Sequence, residues 1–293
     1  MTRRHGLPTD ARHDKDVDDM GLIWAILITV GVSALMIGAM LFVRRGAPDG
    51  SRFKDGDRAS GIFGVLATGF ALLLGFVIFL AFTKYDDSRA GAESEGLVLA
   101  QQFETAQLMP PEARAEFSGE LICYGRSVVN QEWPAMQTNT AIDAINPWAV
   151  EMFRTLQTVE PKRLSEQSAY DAWLSQTNTR EEARRDRLHG AEGIVPFPVW
   201  LVLFFSAALI LLYLLFFADS GESAVVQAMM VGTVSAVMAA TLLVLASLNT
   251  PFTADPGGIR PIAMQRSLAT LDEARATLGL DEPLPCDELG IPS

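Results

Sequence analysis

Phe76, Phe79 and Phe82 recur every three residues in a stretch without one charged side chain, with Leu73, Val77 and Leu80 beside them. On a helix that spacing makes a stripe. In a symmetric oligomer the stripe could close into an apolar neck that gates an ion path by dewetting, with Leu73, Phe76, Phe79 and Leu80 as its candidate lining. In a single chain the same stripe would serve lipid or a neighbouring helix. Just beyond it, Asp86 and Arg89 stand three apart and Arg89 and Glu93 four apart, a spacing that allows pairing along an exposed helix flank. Tyr85 belongs to an apolar face of the same helix. Cys123 and Cys286 are the only cysteines. They read either as one disulfide tying the tail to the segment around Cys123 or as two unrelated thiols.

Little else is spaced for chemistry. His5 and His13 stand beside aspartates in a polar terminal stretch, His189 stands alone, and Glu181-Glu182 sit among arginines like a solvated face. The chain has no phosphate-binding loop, dinucleotide glycine fingerprint, zinc spacing or nucleophile motif. The expectation is a protein that is not an enzyme, with no cofactor and no bound metal.

What positions these residues is a set of four charge-free runs, residues 22–43, 61–83, 194–218 and 224–254. Each is long enough to cross a bilayer as a helix, which takes roughly 20 apolar residues. No Asp, Glu, Lys, Arg or His falls inside any of them, which argues against ion-coupled pumps and proton relays. The first run is too long for a signal-peptide core and reads as an anchor. The net charge of −12 comes from the segments between the runs and speaks against a nucleic-acid partner, which would call for clustered Lys and Arg.

The second run opens a longer helix. After it, Tyr85, Ala92, Gly96, Leu99, Phe103 and Ala106 recur at helical spacing, so residues 61–107 read as one rod, its first half in lipid and its second in water. Gly61, Gly64, Gly69 and Gly75 in the lipid half suit close packing against protein. The expected fold is all-α: residues 1–20 a disordered polar tail, 21–83 the first two spans, 84–193 a soluble antiparallel helical bundle, 194–254 the last two spans, and 255–293 a tail with one short amphipathic helix. Within the bundle, Phe117, Leu121, Tyr124 and Val128 mark a second helix ending near Trp133-Pro134. Thr140 to Asp143 resembles a capping box. Ile145, Trp148, Met152, Leu156 and Val159 mark a third helix. A fourth runs from Ser165 to His189 with Gly190 as its C-cap.

An even span count puts the bundle, both termini and both cysteines on one side of a plasma or inner membrane. A disulfide would need an oxidising compartment, and the basic first loop prefers the cytoplasm, although Lys84, Arg89 and the arginines at 184–187 flank the membrane on the bundle side. The expected bundle is extracytoplasmic.

Three stretches resemble the bestrophin-like family of bacterial membrane proteins: Thr83-Lys-Tyr-Asp-Asp-Ser-Arg-Ala-Gly-Ala-Glu-Ser-Glu, Asn130-Gln-Glu-Trp-Pro and Asn249-Thr-Pro-Phe. The four-span layout with one large helical insertion resembles it too. The resemblance implies a homo-oligomer, pentameric as in bestrophins, whose second span lines a pore for chloride or other small anions. The isoleucine-proline and phenylalanine pattern of a bestrophin neck is missing from the second span. The acidic run by which those channels sense calcium is also absent, so no calcium site is carried over, and an extracytoplasmic bundle would invert their arrangement. The alternative is a non-conducting membrane protein whose bundle binds a partner or senses the envelope.

Overall fold

The computed structural model describes residues 10–46, 55–138, 145–253, 257–280 and 282–293, with side chains from residue 21 onward. The described residues form helices α1 (Asp10–Arg44), α2 (Gly56–Ala106), α3 (Pro111–Ser127), α4 (Trp133–Gln137), α5 (Pro147–Thr158), α6 (Leu164–His189), α7 (Phe197–Phe216), α8 (Ala224–Asn249) and α9 (Ile262–Leu278). Among them there is no strand, only one isolated bridge, Cys286 to Pro292. The chain divides into two compact units. The first takes the residues up to Thr83 and Ile194–Asn249; the second takes Lys84–Gly193, Thr250–Thr253 and Ile259–Ser293.

The first unit holds the apolar runs. Among the described residues, four helices are long and apolar enough to cross a membrane: Gly21–Arg44, α2, α7 and α8. Phe70, Leu74, Val77 and Ala81 of α2 pack with Leu203, Ala207 and Ile210 of α7 and Met238 and Leu245 of α8. Met40 of α1 packs with Val231 of α8 and Ala218. The turn between α7 and α8 is tied to the end of α1, where the Arg44 guanidinium donates to the carbonyls of Asp219 at 2.9 Å, Ser220 at 3.0 Å and Glu222. The Asn249 side-chain oxygen accepts from the backbone N–H of Ile194 at 3.0 Å and Val195 at 2.7 Å. Pro196 then caps α7 and Pro198 occupies its first turn, where a missing N–H costs nothing.

The expected spans differ in detail. Residues 10–20, expected as disordered tail, have helical backbone continuous with α1. No glycine or proline interrupts residues 10–20. Residues 1–9 of the expected tail lie outside the described residues. The last two runs are trimmed to α7 and α8 because Pro196 and Pro251 bound them. Within α8, Ser235, Thr241 and Ser247 each donate to a carbonyl of their own helix.

The second unit packs around the inner face of α2. Ala92, Leu99, Phe103 and Ala106 are buried there with Phe117, Leu121 and Tyr124 of α3, Trp148, Met152 and Leu156 of α5, and Trp173 of α6. Ile145, expected on that face, is exposed, because α5 starts only at Pro147, with the Asn146 side chain accepting from the Trp148 N–H. The amphipathic helix expected in the tail is α9, and it docks directly on α2. A Cβ on Gly96 would lie 2.9 Å from the Ala263 carbonyl carbon, and the Ser267 hydroxyl donates to the Gly96 carbonyl at 2.7 Å.

Two helix ends depart from expectation. The helix expected to stop at Trp133-Pro134 passes through that proline into α4, by way of a π-helical turn at Val128–Glu132. Proline has no N–H to return to the preceding turn, and a wider turn absorbs that loss. Gly190 is the C-cap of α6 as expected, but in a right-handed conformation. Its lack of a Cβ answers a close approach instead, since one there would collide with the Ser88 hydroxyl. The left-handed residue is Gly193, at φ 88°. The capping box read at Thr140 to Asp143 lies outside the described residues.

Candidate functional site

Phe76 and Phe79 are 61% and 64% exposed and Leu80 is 47% exposed. They share α2 with the buried Leu74, Val77 and Ala81 but face away from that cluster. Val65 and Leu72 are 74% and 72% exposed, and with Phe76 and Phe79 they follow each other at helical spacing. A Cβ placed on Gly61, Gly64, Gly69 or Gly75 would meet nothing within 4 Å. One face of this span therefore has no partner in its own chain among the described residues. Leu73 is the exception among the four lining candidates: it is half-buried and packs against the Leu74 cluster.

The second unit contains a buried charge network that the sequence reading missed. Arg187 is fully buried. Its Nε donates to Glu95 Oε2 at 2.5 Å, and its Nη2 to Glu95 Oε1 at 3.0 Å and Glu132 Oε2 at 2.6 Å. Arg184 reaches Glu132 Oε1 at 3.0 Å, and the Tyr124 hydroxyl donates to Glu95 Oε1 at 2.6 Å. Arg180 donates to Gln102 Oε1 at 2.9 Å and lies 4.9 Å from the centre of the Tyr124 ring. These contacts pair Glu95 with Arg187 and Gln102 with Arg180, so α2 and α6 meet in antiparallel order. Burial works to raise the Glu132 carboxyl, yet Arg187 and Arg184 outweigh it and hold the group below the ordinary carboxylate range. Burial likewise opposes the charge on Arg187, and Glu95 and Glu132 more than restore it. A signal was present: Trp173, Arg180 and Arg187 are spaced by sevens, as are Glu95 and Gln102, and seven residues return a helix to the same face.

Glu120 differs in having no cation beside it. Thr155 donates to its Oε1 at 2.7 Å, while its Oε2 is buried without a partner. Burial pushes the carboxyl up to about 7, with Glu116 and Glu151 adding to the rise. The folded chain then holds this proton more tightly than the unfolded chain. The stabilisation is complete below the ordinary value of 4.5 and is lost as pH rises through about 7. Glu120→Gln should raise the melting temperature above about pH 8, by the equivalent of up to about 3 kcal/mol, and change it little below about pH 5. Parallel melts of both proteins across that range check it.

The junction residues are not brought to this network. Tyr85 packs against the core of the second unit, whereas Asp86 is exposed, and Arg89 and Glu93 form an exposed pair at 3.0 Å, a type of pair worth little. The arginines at 184 and 187, read as membrane-flanking, instead turn into the buried network. Cys123 and Cys286 have sulfurs 1.97 Å apart, in the geometry of a disulfide. Among the described residues no group of three or more His, Cys, Asp or Glu could hold a metal.

The model of the Bestrophin-like domain family matches residues 22–255. The chain belongs to the bestrophin-like family. The fold of this bestrophin-like chain is similar to crystal structures of a bacterial bestrophin homologue from Klebsiella pneumoniae, solved as several mutants. One is 14% identical with a TM-score of 0.64, covering 87% of this chain and 99% of that one. A second is 14% identical with a TM-score of 0.61, covering 85% and 98%. A third is 15% identical with a TM-score of 0.60, covering 86% and 98%. No curated protein matches the chain. The stretches that carried the resemblance have structural roles here. Trp133 stacks edge-on with Phe252, with ring centres 5.5 Å apart, and donates to the Ile259 carbonyl at 3.3 Å. Asn130 bonds the Glu288 carbonyl at 3.2 Å.

Proposed function

We propose that this bestrophin-like protein is a homo-oligomeric ion channel, a pentamer if it follows bestrophins, with the outward face of α2 lining the pore. The ion that family membership suggests is chloride or another small anion. The observation that carries this reading is the outward face of α2, where Phe76, Phe79 and Leu80 stand exposed above glycines whose added Cβ would meet nothing within 4 Å among the described residues. Small residues are what transmembrane helices use to approach one another, so copies of α2 can come close around an axis, and an aromatic ring of side chains can then close an apolar constriction. The absence of charge in the spans suits a passive path better than a pump.

We also propose that the second unit faces an oxidising, extracytoplasmic compartment. The pairing of Cys123 with Cys286 supports this, because such bonds persist where thiols are not kept reduced.

Purified protein in detergent should have the mass of several copies, and in a planar bilayer it should conduct, with a reversal potential that follows the chloride gradient. Phe76→Ala should change the unitary conductance several-fold by widening the constriction. A monomeric particle, or silence under every voltage and salt condition, would instead favour a non-conducting protein that binds a partner through its second unit.

A further inference from the structure

The last twelve described residues, 282–293, form a turn that satisfies itself and offers its carbonyls to the bundle. Asp287 Oδ1 accepts from the N–H groups of Leu289 and Ile291, the Asp287 N–H reaches the Ile291 carbonyl, and the Ser293 N–H reaches the Pro285 carbonyl. Four consecutive carbonyls, of which that of Asp287 also accepts from the Gly290 N–H at 3.2 Å, each accept from a different side chain of the second unit. Arg126 donates to Asp287 at 3.1 Å, Asn130 to Glu288 at 3.2 Å, Gln131 to Leu289 at 2.9 Å, and the Trp148 indole to Gly290 at 2.7 Å. Gly290, at φ 78°, lies so close to the Ser127 backbone that a side chain would not fit. Three of these donors sit on the turn leading through the π-helical segment to Glu132, the residue that holds Arg184 and Arg187.

The segment adds little apolar burial. Of its residues only Cys286 and Gly290 are buried, Leu284 packs half-buried against the core with Pro285 over Gly119, and Leu289 and Ile291 point outward at 51% and 46% exposure. Ordering a dozen residues costs more than four net hydrogen bonds return, and one half-buried leucine beside a proline does not cover the difference. The bond to Cys123 must supply the rest.

We infer that residues 282–293 are a redox-conditional clasp, closed over the π-helical turn only while Cys123 and Cys286 are bonded, and released by a dithiol donor. Cys286 is 7% exposed and Cys123 is fully buried, so the donor thiolate attacks the Cys286 sulfur. Cys123 leaves as a thiolate and takes a proton. The second donor thiol then displaces Cys286 and closes the donor's own disulfide, so that two electrons and two protons pass to the protein. Release leaves the Trp148 indole and the Gln131 amide without these carbonyls, leaves Asn130 only its bond to the Arg126 carbonyl, and loosens the turn that carries Glu132. This inference does not depend on conduction.

The test is hydrogen exchange on the full-length protein in detergent, oxidised and after dithiothreitol, with thiol alkylation reporting the state of both cysteines. Upon reduction, exchange in 286–293 and at the side of the π-helical turn should accelerate about tenfold or more, while α2 and α6 keep their protection. Re-oxidation should restore the pattern. Oxidised Asn130→Ala/Gln131→Ala protein should keep the segment protected, because the covalent bond remains, and Cys286→Ser should match the reduced protein. Unchanged protection of the segment after both cysteines alkylate would overturn the clasp, and so would two free thiols in the protein as isolated.

Discussion

Arg187→Ala is expected to cost the second unit about 3–5 kcal/mol, since breaking a buried ion pair strands the partner charges. The Arg187 guanidinium pairs with both Glu95 and Glu132, at 2.5 and 2.6 Å. Its removal leaves two buried carboxylates and the Tyr124 hydroxyl around an unfilled space. Arg184 still reaches Glu132, but nothing replaces the two bonds to Glu95. The stacking of Arg187 at 5.5 Å from the Trp133 ring centre goes too. Thermal melts in detergent should therefore fall by about 6 °C or more. Arg187→Met combined with Glu95→Gln and Glu132→Gln should recover much of the loss, because replacing all the charges removes the stranding. A single variant that melts like the parent would mean that water reaches this network.

Trp173→Ala is expected to cost a similar amount, about 3–5 kcal/mol, by a different cause: an apolar cavity. Trp173 is 1% exposed, and its ring centre lies 4.0 Å from that of Phe117. The cavity opens between α3 and α6, where helix backbones on both sides prevent collapse. Trp173→Phe should cost distinctly less, because it keeps the ring contact with Phe117 and loses only part of the volume. The same melts check both substitutions, and pH separates the two cases: Trp173→Ala should act equally at all pH values, whereas Arg187→Ala should be mildest in acid, where the stranded Glu132 is protonated.

The sequence made some of this legible and hid the rest for definite reasons. The rod of α2 could be read because apolar residues run unbroken into a face of Tyr85, Ala92, Gly96, Leu99, Phe103 and Ala106 with no helix breaker between. Three of the four candidate lining residues lie on its outward face, while half-buried Leu73 shows the limit of a reading by threes: one residue's rotation moves a side chain from the open face into the Leu74 cluster. The buried charges were hidden because Arg184, Arg185 and Arg187 adjoin acids, and charge runs are usually solvated. Only partners distant in sequence, Glu95 and Glu132, decide that two of them turn inward. Pro134 read as a stop, because a local rule cannot see that tertiary contacts at Trp133 and the tail hold the π-helical turn together.

The claim on which the functional reading rests is that the outward face of α2 meets water. Phe76→Cys protein in planar bilayers, exposed to a charged, membrane-impermeant thiol reagent, tests it directly, since Cys123 and Cys286 are paired and leave no other thiol to react. The reading predicts that the current falls when the reagent is added and that reduction restores it. A current that continues unchanged while the cysteine stays unmodified would place Phe76 in lipid or between helices and contradict a pore along α2.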